Sequence, residues 1–132
     1  MQKPSVKVDD LIGVRFKSHG RNINEGFDCY GLAIEVSKRF GHELKDIWYE
    51  KACPETFIGN ADEGIKINVQ FKETKELEAG NPIIFSDGNG NMVHIGILLD
   101  DERFIHADIG GVRITELEGY YRKNWKVYKW QQ

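Results

Sequence analysis

Two extended segments joined by a charged turn, Met92–Leu99 and Arg103–Ala107, constrain the fold more than any other feature. Val93, Ile95, Ile97 and Leu99 fall on one face of an extended segment, and His94, Gly96 and Leu98 on the other. Asp100-Asp101-Glu102 supplies a turn cluster, and Arg103–Ala107 reads as the returning strand. Two strands this close in sequence can pair only as an antiparallel hairpin. Pro82–Phe85 precedes them across the turn cluster SDGNGN at 86–91, and Gly111–Thr115 and Trp125–Trp130 follow, so the second half predicts an antiparallel meander.

The first half predicts a helix. Cys29, Leu32, Ala33, Val36 and Phe40 recur at helical spacing and form one apolar stripe from Cys29 to Phe40. Asp28 stands where an N-cap carboxylate accepts the unpaired amides of the first turn. Lys38 and Arg39 fall in the last turn, and Gly41 follows as the C′ residue. A helix followed by an antiparallel sheet reads as α+β. Residues 5–14 read as a short lead-in, and Arg15–Phe27 as a glycine-dotted loop. Part of Glu43–Ala52 reads as a second helix ended by Pro54, Ile65–Phe71 as a strand, and Glu73–Glu78 as a charged turn.

Length and charge narrow the classes. The 132 residues suit one domain, residues 1–132. Eighteen Lys and Arg against 21 Asp and Glu leave a net charge of −3, which argues against a generally basic nucleic-acid binder. The strip YYRKNWKVYKW at 120–130 interleaves aromatics with cations, and an edge strand guarded by lysines explains it better than a nucleic-acid face. No apolar run approaches the ~20 residues of a membrane helix. The start, MQKPSVKVDDLIG, lacks the apolar stretch of a signal peptide, so synthesis in the cytoplasm is expected. The two cysteines, Cys29 and Cys53, are too few for a disulfide scaffold or a four-cysteine zinc site.

Cys29 sits in the first helical turn, where the helix dipole and nearby amides stabilise a thiolate. By itself it reads better as a small buried hydrophobe on the core stripe, since free cysteines are usually buried. His94 interrupts an apolar strand and has the intrinsic pKa of a general base. His106 lies on the next strand. If it faces His94 directly, the intervening loop is odd in length and centred on Asp100; a two-residue loop would send the two rings to opposite faces. Given the odd loop, His106 can bond the far nitrogen of His94 and fix its ring. The set then reads as nucleophile, base and orienter: Cys29, His94 and His106. A zinc site built from the same three lacks the spacing of zinc motifs, so no metal and no cofactor are expected.

Three segments carry a family resemblance. Gly26-Phe27-Asp28-Cys29-Tyr30-Gly31-Leu32 resembles the D-C-x-G-L signature of the NlpC-type cell-wall peptidases. Val93-His94-Ile95-Gly96-Ile97-Leu98-Leu99 is similar to their H-V-G-I-Y strand, and Phe104-Ile105-His106-Ala107 to their f-I-H-A strand. The resemblance spans about residues 10–115. It implies a papain-like α+β fold, with the nucleophilic cysteine on the helix packed against a central antiparallel sheet. It implies a cysteine peptidase that cleaves peptidoglycan stem peptides between D-glutamate and a diamino acid, with the Cys29 amide binding the oxyanion. Members that recognise a free N-terminal alanine resemble one another in a lead-in tyrosine, an aspartate before the cysteine and a serine after it. Here those positions are Phe16, Asp28 and Tyr30, the expected substrate-binding residues; only the aspartate is kept. Gly80-Asn81 stands where the family has glycine–aspartate. The expected partner is the stem peptide, with no nucleic acid and no membrane. The bulky Tyr30 after the cysteine, with no signal peptide or wall-binding module read in the sequence, resembles the small family members of phage tails, so tail-type delivery proteins and action at the cell wall are expected. Two other readings stand beside this one: a catalytically silent tail or wall-binding module, and a papain-like acyltransferase or amidase acting on another substrate.

Overall fold

A computed structural model describes residues 6–47, 70–86, 92–118 and 125–131. Helix α1 runs Cys29–Arg39. It starts where expected because the Asp28 backbone is extended and its side chain accepts from the Gly31 amide at 2.7 Å. It ends at Phe40, and Gly41 takes the left-handed conformation at φ 91° that a side chain would resist. The segment expected as a loop holds a small antiparallel ladder, β1 (Arg21–Asn22) with β2 (Gly26–Phe27).

The main sheet has six strands: β3 (Phe71–Thr74), β4 (Pro82–Ser86), β5 (Met92–Leu98), β6 (Arg103–Asp108), β7 (Gly111–Glu116) and β8 (Trp125–Trp130). Their order is β3-β8-β4-β5-β6-β7, with every neighbouring pair antiparallel. Strands β4 to β7 form the expected meander. Strand β8 departs from it: it returns across the sheet to pair with β4 and takes β3 on its outer side.

Two expectations fall in the middle of the chain. Residues 42–47 have no regular structure, and the rest of the stretch expected to hold a second helix lies outside the described residues, as does Cys53. Residues 65–69 of the strand expected over Ile65–Phe71 lie outside the described residues; β3 begins at Phe71 and runs into the segment expected as a turn, because Phe71 pairs with Trp130 and Thr74 with Val127. The sheet edge offered by β8, not local alternation, sets those bounds.

The sheet buries both faces. Helix α1 packs on β5 and β6. Cys29, Leu32, Ala33 and Val36 share a core with Ile95, Ile97, Ile105 and Ala107. Ile83, Phe85, Leu98, Phe104, Leu117 and Val127 form a second cluster. The lead-in makes a 3-10 turn at Asp9–Leu11 and then docks on β7, Gly13 donating to Val112 and Val112 to Val14, each at 2.9 Å. Gly111 permits that approach: a Cβ there would lie 2.9 Å from the Val14 carbonyl oxygen.

Candidate active site

The start of α1 is braced by its own loop. Asp28 is fully buried. Its Oδ1 accepts from the Gly31 amide at 2.7 Å and from Arg21 Nη1 at 3.0 Å, and its Oδ2 accepts from the His19 amide at 2.8 Å. His19 adopts φ 63°, an uncommon left-handed backbone for a residue other than glycine. Arg21 extends past Asp28 to Asp46, with its guanidinium carbon 5.9 Å from the centre of the Tyr30 ring. Buried Tyr30 donates its hydroxyl to the Lys45 carbonyl, and burial pushes its pKa up. Gly31 lets the loop close on the helix: a Cβ there would sit 2.0 Å from the Gly20 carbonyl oxygen. The D-C-x-G pattern thus has a steric and a capping cause. Cys29, in this first turn, is a buried thiol.

The histidine hairpin differs from expectation in register. Ile97 pairs with Ile105 and Leu98 with Phe104. Continuing that ladder sets His106 across from Gly96, not from His94. The Asp100 side chain explains the shift. Its Oδ1 accepts from the amides of Glu102 and Arg103, both at 2.8 Å, which centres the turn on Asp101. The loop stays odd, so both rings keep one face. They meet on the diagonal, within reach for aromatic side chains. His94 Nε2 lies 2.7 Å from His106 Nδ1, with ring centres 4.9 Å apart and planes at 80°.

Gly96 makes this diagonal passable. A Cβ there would lie 2.8 Å from Phe104 Cδ2, 3.0 Å from the Ile105 oxygen and 3.4 Å from His106 Cβ. A register shift between Phe85 and Ser86 falls beside His94, where a bulge re-aims a strand residue. Phe85 packs on the His94 ring at 5.5 Å and Phe104 on the His106 ring at 4.7 Å. Beyond the pair, His106 Nε2 lies 2.8 Å from Thr115 Oγ1 on β7.

Burial dominates the electrostatics. Desolvation, then the charges of His106 and Arg113, pushes His94 far below the usual histidine range. Desolvation lowers His106 as well, opposed by Asp108 and aided by Arg113. Both rings are therefore neutral near pH 7, the form a general base requires. Asp108 is itself buried and ion-paired with Arg113, and its Oδ1 accepts from the Gly110 amide at 3.0 Å. Among the described residues no three histidine, cysteine or acidic side chains are grouped to hold a metal ion, and no helix is long and apolar enough to cross a membrane.

The structure joins His94 to His106 and sets Cys29 on the helix that packs over their strands. Of the residues expected to bind substrate, Phe16 is half-buried and bridges to Phe27, whereas Asp28 and Tyr30 are fully buried with their polar atoms bound inside the fold. Asn81 is buried and donates from Nδ2 to the Glu76 carbonyl at 3.1 Å, a bond an aspartate could not make. Sequence reasoning missed Arg21 and Thr115. Arg21 is one cation in a polar loop and carries no local signal. Thr115 could have been found only from the β6–β7 register, which pairs it with Phe104.

The model of the NlpC/P60 family matches residues 13–131. A solved structure of a lipoprotein-like protein of the NLP/P60 family from Staphylococcus aureus superposes with a TM-score of 0.61 at 22% identity. The match covers 94% of this chain and 40% of that one, and at this identity the likeness concerns the fold. No curated protein matches the chain. With a helix-start cysteine, a histidine hairpin on an antiparallel sheet and a family match along nearly its whole length, the chain belongs to the NlpC/P60 family.

Proposed function

We propose that the protein is a thiol peptidase that hydrolyses amide bonds in peptidoglycan stem peptides, between D-glutamate and a diamino acid. Family membership supports a cell-wall peptidase-like function in general. The observation that supports the catalytic part of this reading is the 2.7 Å bond between His94 Nε2 and His106 Nδ1; the choice of bond rests on the resemblance in the three motifs. It occupies Nε2 of His94, so in this reading the base role falls to Nδ1. In this reading His94 Nδ1 takes the proton of Cys29, and the thiolate attacks the amide carbon. The Cys29 amide at the helix start holds the oxyanion, a donor whose loss typically costs about 3–4 kcal/mol of barrier. His94 returns the proton to the leaving amine, and water then cleaves the thioester. His106 orients His94. Phe16, with its partial exposure, is assigned to the substrate wall, and Asp28 and Tyr30 shape that wall from beneath. The site of action is the cell wall, with tail-type delivery proteins as partners.

One observation favours a second reading. Cys29 is fully buried, as structural cysteines are. A catalytically silent member would keep the thiol so; a working enzyme must part its cover to admit substrate.

The test is mass spectrometry of purified peptidoglycan incubated with the wild type and with Cys29→Ala. The expected result is new stem-peptide fragments from the wild type alone, their masses naming the bond. No fragments from either protein, with the thiol shown to be reduced, would overturn the peptidase reading in favour of the silent module or a substrate outside the wall.

A further inference from the structure

We propose that Thr115 is a positioning residue that keeps available the proton arrangement in which His94 of the histidine pair can act as a base. Its catalytic consequence rests on the peptidase reading; its geometry does not. Three groups lie in one chain: His94 Nε2 is 2.7 Å from His106 Nδ1, and His106 Nε2 is 2.8 Å from Thr115 Oγ1. In a contact between two neutral imidazole nitrogens one carries the proton and the other accepts. Two wirings therefore exist, and they run in opposite directions. In the first, the Thr115 oxygen accepts from His106 Nε2–H. His106 Nδ1 is then bare and accepts from His94 Nε2–H, so His94 Nδ1 keeps its lone pair. In the second, every proton moves to the other nitrogen and His94 Nδ1 carries a hydrogen. Only the first makes His94 a base at Nδ1.

The Thr115 hydroxyl accepts from His106 Nε2–H in the first wiring and would donate to the bare Nε2 in the second, so with threonine at 115 neither wiring leaves this end of the pair unpaired. The rings are buried, and a buried N–H without an acceptor is costly. An apolar residue at 115 orphans an N–H in the first wiring but only a lone pair in the second, the less costly loss, and so tips the pair toward the second wiring. The residue acts at a distance, through His106, and its placement is exact to the register: β7 pairs Thr115 with Phe104 and Arg113 with His106, so position 115 lies diagonal to the ring it bonds.

The experiment compares the wild type, Thr115→Val and Thr115→Ser as uniformly 15N-labelled full chains. Long-range 1H–15N spectra read the tautomer of each histidine, and kinetics on a soluble stem peptide give kcat and KM. The wild type is expected to show Nε2–H on both His94 and His106. Thr115→Val, nearly the same shape, is expected to move both toward Nδ1–H. Since the wrong tautomer of a triad base costs up to about 10⁴-fold in kcat, and some correct form persists, a fall of about 10- to 100-fold is expected with KM within about twofold. Thr115→Ser restores both readouts. Wild-type tautomers in the valine variant overturn the proposal, whatever the activity. So does a folded serine variant that fails to rescue. If the wild type cleaves nothing but the valine variant still shifts the tautomers, the proton-positioning role stands and the failure belongs to the peptidase reading.

Discussion

The two halves of the candidate site are held by opposite means. The start of α1 is ionic and local: His19, Arg21, Asp28 and Gly31 lie within 13 positions of one another, and the Asp28 carboxylate accepts from two backbone amides and one guanidinium. The histidine hairpin is neutral and tertiary: two buried rings meet between Phe85 and Phe104, drawn from three strands. A charged cap tolerates water nearby because Arg21 is partly exposed and links onward to an exposed aspartate. The histidine pair depends on water being absent, since burial keeps both rings uncharged. The first region should therefore fail by steric insult or loss of the cap, and the second by acid or by a change of register.

Glycine substitutions separate the two most sharply. Gly31→Ala drives a methyl to within 2.0 Å of a backbone oxygen, which cannot swing aside as a side chain can. It should cost more than about 3 kcal/mol, beyond ordinary overpacking. Gly96→Ala meets chiefly the Phe104 ring at 2.8 Å. It should cost about 2 kcal/mol while parting the two histidine rings. Urea midpoints measure both costs, and histidine side-chain spectra measure the parting. Equal costs would mean that the loop over α1 is looser than the hairpin.

Acid gives a smaller and more selective effect. Both histidines have folded pKa values below the ordinary 6.5, about 3 for His94 and about 4 for His106. Below pH 6.5 the unfolded chain binds more protons than the folded one, so stability rises with pH through this window and is lost on acidification. The loss should reach about 1.4 kcal/mol per histidine by pH 5.5, before most carboxylates titrate. Thermal unfolding from pH 7 to 5.5 should show this in the wild type and a shallower slope in His106→Asn. Equal slopes would show that His106 is not held neutral. At the bottom of the scale lies Arg103→Ala, which breaks the exposed pair with Asp100. It should cost about 0.5 kcal/mol or less.

Legibility followed the range of the interaction. The helix could be read because its stripe, its cap and its terminal glycine all fall within the segment from Asp28 to Gly41. The hairpin strands could be read because alternation is local, and an odd loop was enough to put both histidines on one face. The register differs from the expected one because the Asp100 side chain centres the turn on Asp101 by accepting from two backbone amides. Strand β8 was legible as a strand, but its partner was not, since its return to β4 spans the whole meander. Phe71–Thr74 was misplaced for the same reason: its bounds are set by β8.

The sequence by itself determined the chemistry on offer: a cysteine in a capped first turn, a histidine on each of two adjacent strands, and glycines where backbones must close. These depend on residue type and on spacings of a few positions, which the covalent chain imposes directly. Only the tertiary structure decided that the histidines pair diagonally over Gly96, that Asp28 spends its carboxylate on the His19, Arg21 and Gly31 groups, and that Thr115 ends the hydrogen-bonded chain. Each of those outcomes depends on which groups meet when both faces of one sheet are buried at once, and packing decides that for all the strands together.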